Sequence, residues 1–277
     1  MQHRVLGNTG LSISVIGQGT WQMEQDDRAK AIQTLRHGLD LGLTHIDTAE
    51  AYGSGRVEEL VAEAIAGHRD QVYLASKVLP QHGSYEDTLL ACEQSLKRLK
   101  TDRLDLYLLH WPGQALMEQT FRAFEQLTKD GKIRAFGVSN FEIPELEAAV
   151  ALVGEGRIAC NQVRYHLQER SIERGLLAWC RERHIAVVGY SPFGTGRFPS
   201  LSGESGKVLA EIAEARGATA RQVALAFLIR EPETFTLAKT QSPEHAEDNA
   251  QAGELTLSAD EVRRIDAAFP LGKRRTA

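Results

Sequence analysis

Eight short apolar runs recur along this chain of 277 residues, and a segment with helical spacing separates most of them from the next. The runs cover 14–19, 44–47, 72–77, 104–110, 133–140, 158–163, 185–191 and 234–240. They are nearly continuous in apolar residues, as expected of strands that are covered on both faces. Strand followed by helix, eight times over, is typical of a (β/α)8 TIM barrel and predicts an α/β fold.

A doubly wound open sheet is the alternative arrangement of such runs. Its dinucleotide-binding fingerprint is incomplete, because Gly17 and Gly19 supply two glycines but Gln22 occupies the third position. Ahead of the first run, short apolar pieces flank a turn at 8–10, which predicts an N-terminal β-hairpin at the barrel floor. A glycine-rich loop covers 192–206, and no long linker interrupts the chain. We therefore predict a single barrel domain over 1–277.

The segments between the runs carry helical signals. One apolar face is predicted to consist of Ala29, Ile32, Leu35 and Leu39, with Gly42 ending the helix. Capping boxes of the acid type are predicted for two other helices, at Ser84 with Asp87 and at Ser258 with Glu261.

Composition and charge narrow the choice of partners. The formal net charge is −5, with acidic and basic residues interspersed, so no basic stripe is available for nucleic acid. No apolar run approaches the ~20 residues of a membrane span, and the amino terminus has no apolar signal core. Three widely spaced cysteines suit a reducing compartment. These features predict a cytoplasmic protein; the oligomeric state is not readable, and a monomer is compatible with the sequence.

Polar side chains stand at the ends of seven of the apolar runs. They are Asp47, Lys77, His110, Asn140, Gln162, Ser191 and Lys239. Singly, each has an ordinary structural explanation, such as a helix cap for Asp47 or a buried imidazole for His110. Barrel active sites form where the carboxyl ends of the strands meet, so together they predict an active site. We predict no metal there, because a metal-dependent hydrolase using Asp47 and His110 would need further His or acidic ligands.

The stretch THIDTAEAYG at 44–53 adds a tyrosine to this set. The pKa of tyrosine is about 10 in water, so Tyr52 needs a neighbour that favours its phenolate to donate a proton readily near neutral pH. A charged Lys77 would do this, and Asp47 would hold Lys77 charged and in place. His110 could direct a substrate carbonyl toward Tyr52.

These motifs resemble those of the aldo-keto reductases. DTAEAYG matches the family's D-T-A-x-x-Y-G motif, and ASK and LLHWP match its lysine and histidine positions. The resemblance covers essentially the whole chain and implies NAD(P)H-dependent reduction of aldehydes and ketones. It implies a catalytic tetrad of Asp47, Tyr52, Lys77 and His110, with Tyr52 donating the proton. An alternative on the same fold is a nucleotide-sensing protein with little turnover.

The resemblance also implies a nicotinamide cofactor. Ser139, Asn140 and Gln162 would hold the carboxamide, and Tyr190 would stack on the nicotinamide ring. The segment after Tyr190 would wrap the pyrophosphate, where glycine lets backbone N–H groups approach phosphate. The residues assigned to the cofactor by the resemblance include Gly19, Thr20, Ser191, Pro192, Phe193, Gly194 and Gly196.

The segment KTQSPEHAEDN at 239–249 bears on cofactor choice. The resemblance implies a set of residues that grips the 2′-phosphate and the adenine, namely Lys239, Thr240, His245, Asp248 and Asn249. His245 stands where the family usually has arginine, and histidine is mostly neutral at pH 7. We predict NADPH, with NADH as an alternative because of His245.

Two tryptophans follow the first and fourth runs. The resemblance implies that Trp21 and Trp111 line the substrate pocket, although simple packing would also explain tryptophans at these positions. The 270–277 tail is shorter than the carboxyl-terminal loop of many members, which predicts an open pocket.

Overall fold

The computed structural model describes residues 1–113 and 117–271, and it contains a small hairpin and a closed barrel. The hairpin pairs β1 (His3–Val5) with β2 (Ser12–Ser14) in antiparallel fashion. The barrel strands are β3 (Ile16–Gly19), β4 (His45–Asp47), β5 (Tyr73–Val78), β6 (Leu104–Leu109), β7 (Ile133–Ser139), β8 (Ile158–Arg164), β9 (Ala186–Tyr190) and β10 (Thr234–Ala238). All neighbouring barrel strands are parallel, and β10 closes onto β3. The predicted TIM barrel with an N-terminal hairpin is confirmed.

Helices surround the barrel. They are α1 (Arg28–Asp40), α2 (Arg56–Ala64), α3 (Tyr85–Leu99), α4 (Met117–Lys129), α5 (Ile143–Val153), α6 (Leu176–Glu182), α7 (Glu204–Arg216), α8 (Ala220–Leu228), α9 (Pro243–Ala252) and α10 (Ala259–Ala268). Both α7 and α8 lie between β9 and β10. Ser258 and Glu261 form the predicted capping box of α10, and Ser84 accepts a hydrogen bond from the Asp87 N–H at the start of α3.

The hairpin covers the barrel floor. Leu6 and Ile13 are buried in one apolar cluster with Ala159 and Ala186, which lie at the amino ends of β8 and β9. Gly7 in the turn has φ +49°, and a Cβ there would lie 2.3 Å from the Ala159 carbonyl oxygen. The close approach of the turn to the barrel therefore requires glycine.

The buried face of α1 differs from the predicted one. Ala31, Thr34, Leu35 and Gly38 are its buried residues. Ala29 is exposed, and Ile32 and Leu39 are only half-buried. Ile32 and Leu39 still pack against the core, as predicted. Gly38 is buried because the Gln18 side chain packs against it and donates hydrogen bonds to the Leu35 and Leu43 carbonyls.

Three further observations concern the whole chain. In the part described by the structure, no helix combines the length and the apolar character needed to cross a membrane. Cys92, Cys160 and Cys180 are all buried free thiols. Of the short tail predicted over 270–277, residues 272–277 lie outside the described part of the chain.

Candidate active site

A cavity of about 620 Å³ opens at the carboxyl ends of the barrel strands. The strand register brings these ends together, with Gly19 beside Asp47, Ser139 beside Gln162, and Arg164 beside Tyr190. Predicted site residues that line the cavity are Gly19, Thr20, Trp21, Asp47, Tyr52, His110, Trp111, Ser139, Asn140, Gln162, Tyr190, Ser191, Pro192, Phe193, Gly196 and Lys239. Sequence positions far apart thus meet in one place.

Lys77 lies at the centre of the polar network. Its ammonium donates to Asp47 Oδ1 at 2.5 Å, to the Thr48 carbonyl at 2.9 Å and to the Tyr52 hydroxyl oxygen at 3.2 Å. The second Asp47 oxygen accepts from Gln162 Nε2 at 2.8 Å. All three ammonium donors are therefore used. Because the Tyr52 oxygen accepts from Lys77, its own hydrogen is available to a ligand.

The chain after β4 carries Tyr52 back to Lys77. The backbone at Thr48 and Glu50 continues beside β5, donating to the Ala75 and Lys77 carbonyls. The Tyr52 N–H then donates to the Ala49 carbonyl at 3.0 Å, which closes a turn over 49–52. This path explains why an acid and a tyrosine five positions apart both reach the same ammonium.

The pKa values of the pair follow from burial and charge. Burial raises the pKa of Tyr52, and the charge of Lys77 lowers it by less, so the net pKa is raised. Lys77 thus acts in the direction predicted from the sequence, but burial outweighs it. Burial alone would lower the pKa of Lys77, but Asp47 and Tyr52 outweigh burial and leave the pKa raised. At neutral pH, Lys77 is a cation and Tyr52 a protonated phenol.

His110 stands beside Tyr52 as a neutral imidazole. Burial lowers the pKa of His110 to about 3, with a second contribution from the Lys77 charge. The rings of Tyr52 and His110 meet edge to face at 5.8 Å between centroids. A neutral ring carries one N–H, so His110 can donate a hydrogen bond to a carbonyl oxygen that also contacts Tyr52.

Hydroxyl and amide side chains line a further part of the cavity, at Ser139, Asn140 and Gln162. Ser139 Oγ donates to the Gln162 carbonyl at 2.9 Å, and Asn140 Nδ2 donates to Ser139 Oγ at 3.1 Å and to the His110 carbonyl at 3.2 Å. Tyr190 OH donates to Asn140 Oδ1 at 2.8 Å. These bonds fix the Tyr190 ring and the Asn140 amide relative to His110.

The loop after β9 has an unusual backbone. Ser191, Gly194, Thr195 and Gly196 all have positive φ, between 54° and 81°. Phe193 and Gly196 line the cavity, while Gly194 lies in the same loop without lining it. Residues in the left-handed region can help to turn neighbouring backbone N–H groups toward one side, as in loops where proteins bind phosphate.

Lys239 follows β10 and lies at the cavity, where it pairs with Asp26 at 2.6 Å between Nζ and Oδ2. The rest of the predicted adenine set does not line the cavity. Thr240 accepts a hydrogen bond from the Ser242 N–H, His245 is exposed in the first turn of α9, and Asp248 accepts from Thr219 Oγ1 at 2.9 Å. Asn249 is buried in the same helix.

The two tryptophans do line the cavity. Trp21 is 48% exposed and Trp111 is 38% exposed, so neither is a core packing residue. The Trp111 ring lies 4.8 Å from that of His110.

Five lining residues were not among the predicted site residues: Gln22, Arg164, Thr195, Arg221 and Leu237. The alternation of a strand could have revealed Arg164, because it faces the same side as Gln162 two positions earlier. Nothing in the sequence marks Arg221, which reaches the cavity from α8.

The donor set does not suit a metal. Asp47 is engaged by Lys77 and Gln162, and among the described residues no three His, Cys, Asp or Glu side chains gather as ligands. The site does suit a nicotinamide dinucleotide. Amide and hydroxyl groups that can bind a carboxamide lie together, the Tyr190 ring is fixed by its hydrogen bond to Asn140, and residues of the positive-φ loop line the same cavity as Lys239.

Comparisons with known proteins agree with this geometry. The sequence model described as the Aldo/keto reductase family matches residues 15–269. The methylglyoxal reductase YeaE of Escherichia coli is 41% identical, with coverage of 100% of this chain and 99% of that protein. The glyoxal reductase of Bacillus subtilis is 33% identical, with coverage of 94% and 90%.

Solved structures give the same result. The crystal structure of an aldo/keto reductase from Klebsiella pneumoniae in complex with NADP and acetate is 40% identical. It superposes with a TM-score of 0.92 and covers 100% of this chain and 98% of its own.

Proposed function

Because the chain belongs to the aldo/keto reductase family and is an oxidoreductase that uses NADPH to reduce carbonyl groups, we propose that Tyr52 is its proton donor. The observation that carries this proposal is the contact between Tyr52 and Lys77 in the cavity. The Tyr52 hydroxyl accepts from Lys77 and keeps its hydrogen for the substrate oxygen.

The four tetrad residues have separate tasks. NADPH supplies the hydride that the carbonyl carbon receives. Tyr52 gives a proton to the carbonyl oxygen, and Lys77 stabilises the negative charge left on the phenol. Asp47 keeps Lys77 charged and fixed. His110, neutral at pH 7, donates a hydrogen bond that holds the carbonyl oxygen near Tyr52.

The cofactor contacts follow the geometry of the cavity. Asn140, Ser139 and Gln162 hold the carboxamide, Tyr190 packs on the nicotinamide ring, and the 191–196 loop holds the pyrophosphate. Gly19 and Thr20 belong to the same wall. These assignments rest on the lining of one cavity by donors of the required kinds.

We propose a preference for NADPH, with NADH accepted more weakly. Lys239 supports this preference because it lines the cavity and carries a positive charge. His245 supports the residual use of NADH, because an imidazole lacks the forked set of donors that a guanidinium offers to a 2′-phosphate. Thr240, Asp248 and Asn249 do not line the cavity, and we assign them to the adenine on the family resemblance alone.

The substrate class that fits best is the small 2-oxoaldehydes. The relatives named for methylglyoxal and glyoxal reduction support this assignment. Trp21 and Trp111, both partly exposed, form an open aromatic mouth that suits a compact and reactive carbonyl compound.

We also propose a cellular location, a domain organisation and an oligomeric state for the enzyme. The enzyme is cytoplasmic and has no nucleic-acid partner, in keeping with its dispersed charges. A single domain over 1–277 and a monomer are also compatible with one barrel that carries its own site.

The test is NADPH and NADH oxidation with methylglyoxal, glyoxal, propanal and acetone as substrates. We expect turnover with NADPH, fastest with the two 2-oxoaldehydes, and slower turnover with NADH. Equal rates with propanal would contradict the substrate class. Tight NADPH binding without turnover on any of the four would contradict the reductase activity itself.

A further inference from the structure

The cavity carries more positive charge than its catalytic residues require. Its charged lining residues are Asp47, Arg164, Arg221 and Lys239, in a chain whose formal net charge is −5. Lys77 neutralises Asp47, and Asp26 neutralises Lys239. The two arginines thus stand at the cavity without a carboxylate partner among the described residues.

Arg221 is held in a defined place. Its guanidinium carbon lies 4.8 Å from the ring centroids of both Phe193 and Phe198. Those rings meet edge to face at 5.8 Å, so they form two sides of a corner around the guanidinium. Stacked arginine presents its N–H groups at the edge of its plane, where they can bind phosphate.

The residues around Arg221 indicate that its guanidinium lies near the part of the cavity proposed to hold the adenosine end of the cofactor. Phe193 belongs to the loop proposed to hold the pyrophosphate. Thr219, which caps α8 two residues before Arg221, donates to Asp248 of α9. Arg221 therefore lies between the 191–196 loop and the helix that follows Lys239. A cation in the first turn of α8 gains nothing from the helix dipole, so stability of α8 does not explain it.

We propose that Arg221 binds a phosphate group of NADPH and is a cofactor-recognition residue of this enzyme. The proposal rests on the proposed function, since it needs the dinucleotide in this cavity. Arg221 supplies the permanent forked charge that an imidazole such as the exposed His245 side chain does not offer.

The test measures the Kd of NADPH and of NADH, by quenching of tryptophan fluorescence, at several salt concentrations. The variants are Arg221→Met, which keeps a stem that can pack on the rings, and Arg221→Lys, which keeps the charge. Arg122→Met is the matched control, because Arg122 also lies over an aromatic ring, Tyr85, but outside the cavity.

We expect Arg221→Met to raise the Kd of NADPH about tenfold or more, as the loss of charge-assisted hydrogen bonds would. Its Kd should also depend less on salt. Arg221→Lys should lie between it and wild type, and Arg122→Met should match wild type. A rise for NADPH alone supports contact with the 2′-phosphate, and an equal rise for NADH supports contact with the pyrophosphate.

Two results would overturn the inference. The first is an unchanged Kd for both cofactors in Arg221→Met. The second is a raised Kd with the salt dependence of wild type, which would mean that Arg221 only packs against the loop. Failure of wild type to bind either cofactor would instead contradict the proposed function, so the two failures are distinguishable.

Discussion

At the scale of single residues, the chemistry of the site depends on which side-chain hydrogens are already used in hydrogen bonds and which are available to a ligand. Lys77 uses its three N–H donors for hydrogen bonds to Asp47, Thr48 and Tyr52. Both carboxylate oxygens of Asp47 accept hydrogen bonds, one from Lys77 and one from Gln162. Tyr52 and His110 are thus the tetrad members with a hydrogen to offer. Both are uncharged at pH 7, which suits hydrogen bonding to a neutral carbonyl.

The neutrality of His110 predicts a pH profile. Its pKa of about 3 means that carbonyl reduction should show no inflection near pH 6.5 from this residue. Replacing it with Asn should lower kcat/KM about 100-fold at every pH, because the shorter amide does not place its N–H where the imidazole N–H lies. His37→Asn, on the outer face of α1, should leave kcat/KM unchanged. An inflection near pH 6.5 in wild type that disappears in His110→Asn would contradict this assignment.

At the scale of elements, the ends of the strands carry the chemistry and the connections adjust it. The polar residues at run ends could be predicted because parallel strands of a barrel finish on one side. The pairing of Asp26 with Lys239 could not be predicted. Asp26 belongs to the β3–α1 connection, whose path depends on a 3-10 turn, Met23–Gln25. The same limit applies to Arg221, which only the packing of α8 brings to the cavity. Three of the four residues predicted for the apolar face of α1 do contact the core, but the burial of Gly38 could not be predicted, because it depends on the packing of Gln18 of β3.

The Asp26–Lys239 pair joins two connections across the cavity mouth, and it predicts an effect on cofactor binding. Asp26→Asn should lower the Kd of NADPH several-fold, because a buried carboxylate no longer competes with phosphate for the Lys239 ammonium. Fluorescence titration measures the change. Asp27→Asn is the control, since Asn can also cap α1 while the charge changes one residue away. Weaker NADPH binding in Asp26→Asn would mean that the carboxylate positions Lys239 instead.

At the scale of the whole molecule, polar groups inside the barrel affect stability as well as catalysis. His45 of β4 is completely buried, and neither ring nitrogen has a hydrogen-bond partner among the described residues. Burial lowers its pKa to about 4 from an ordinary value of 6.5. The folded protein therefore binds this proton less readily than the unfolded chain does.

This difference predicts a loss of stability in mild acid. As the pH falls below 6.5 the unfolded chain takes up a proton at His45, and the loss is complete below about 4, where the folded state is also protonated. The full effect is about 3 kcal/mol in the free energy of unfolding. Urea unfolding between pH 7.5 and 4.5 should show a shallower decline for His45→Leu than for wild type. Identical declines for the two proteins would contradict the prediction.

The central claim is that Tyr52 donates the proton, and single-turnover kinetics test it most directly. NADPH-loaded enzyme is mixed with methylglyoxal, and NADPH oxidation is followed for wild type and Tyr52→Phe. The control is Tyr107→Phe, because the Tyr107 hydroxyl is buried in the core without a hydrogen-bond partner among the described residues. We predict that Tyr52→Phe slows the oxidation at least about 100-fold, with the Kd of NADPH unchanged and Tyr107→Phe equal to wild type. Oxidation at the wild-type rate in Tyr52→Phe would contradict the claim.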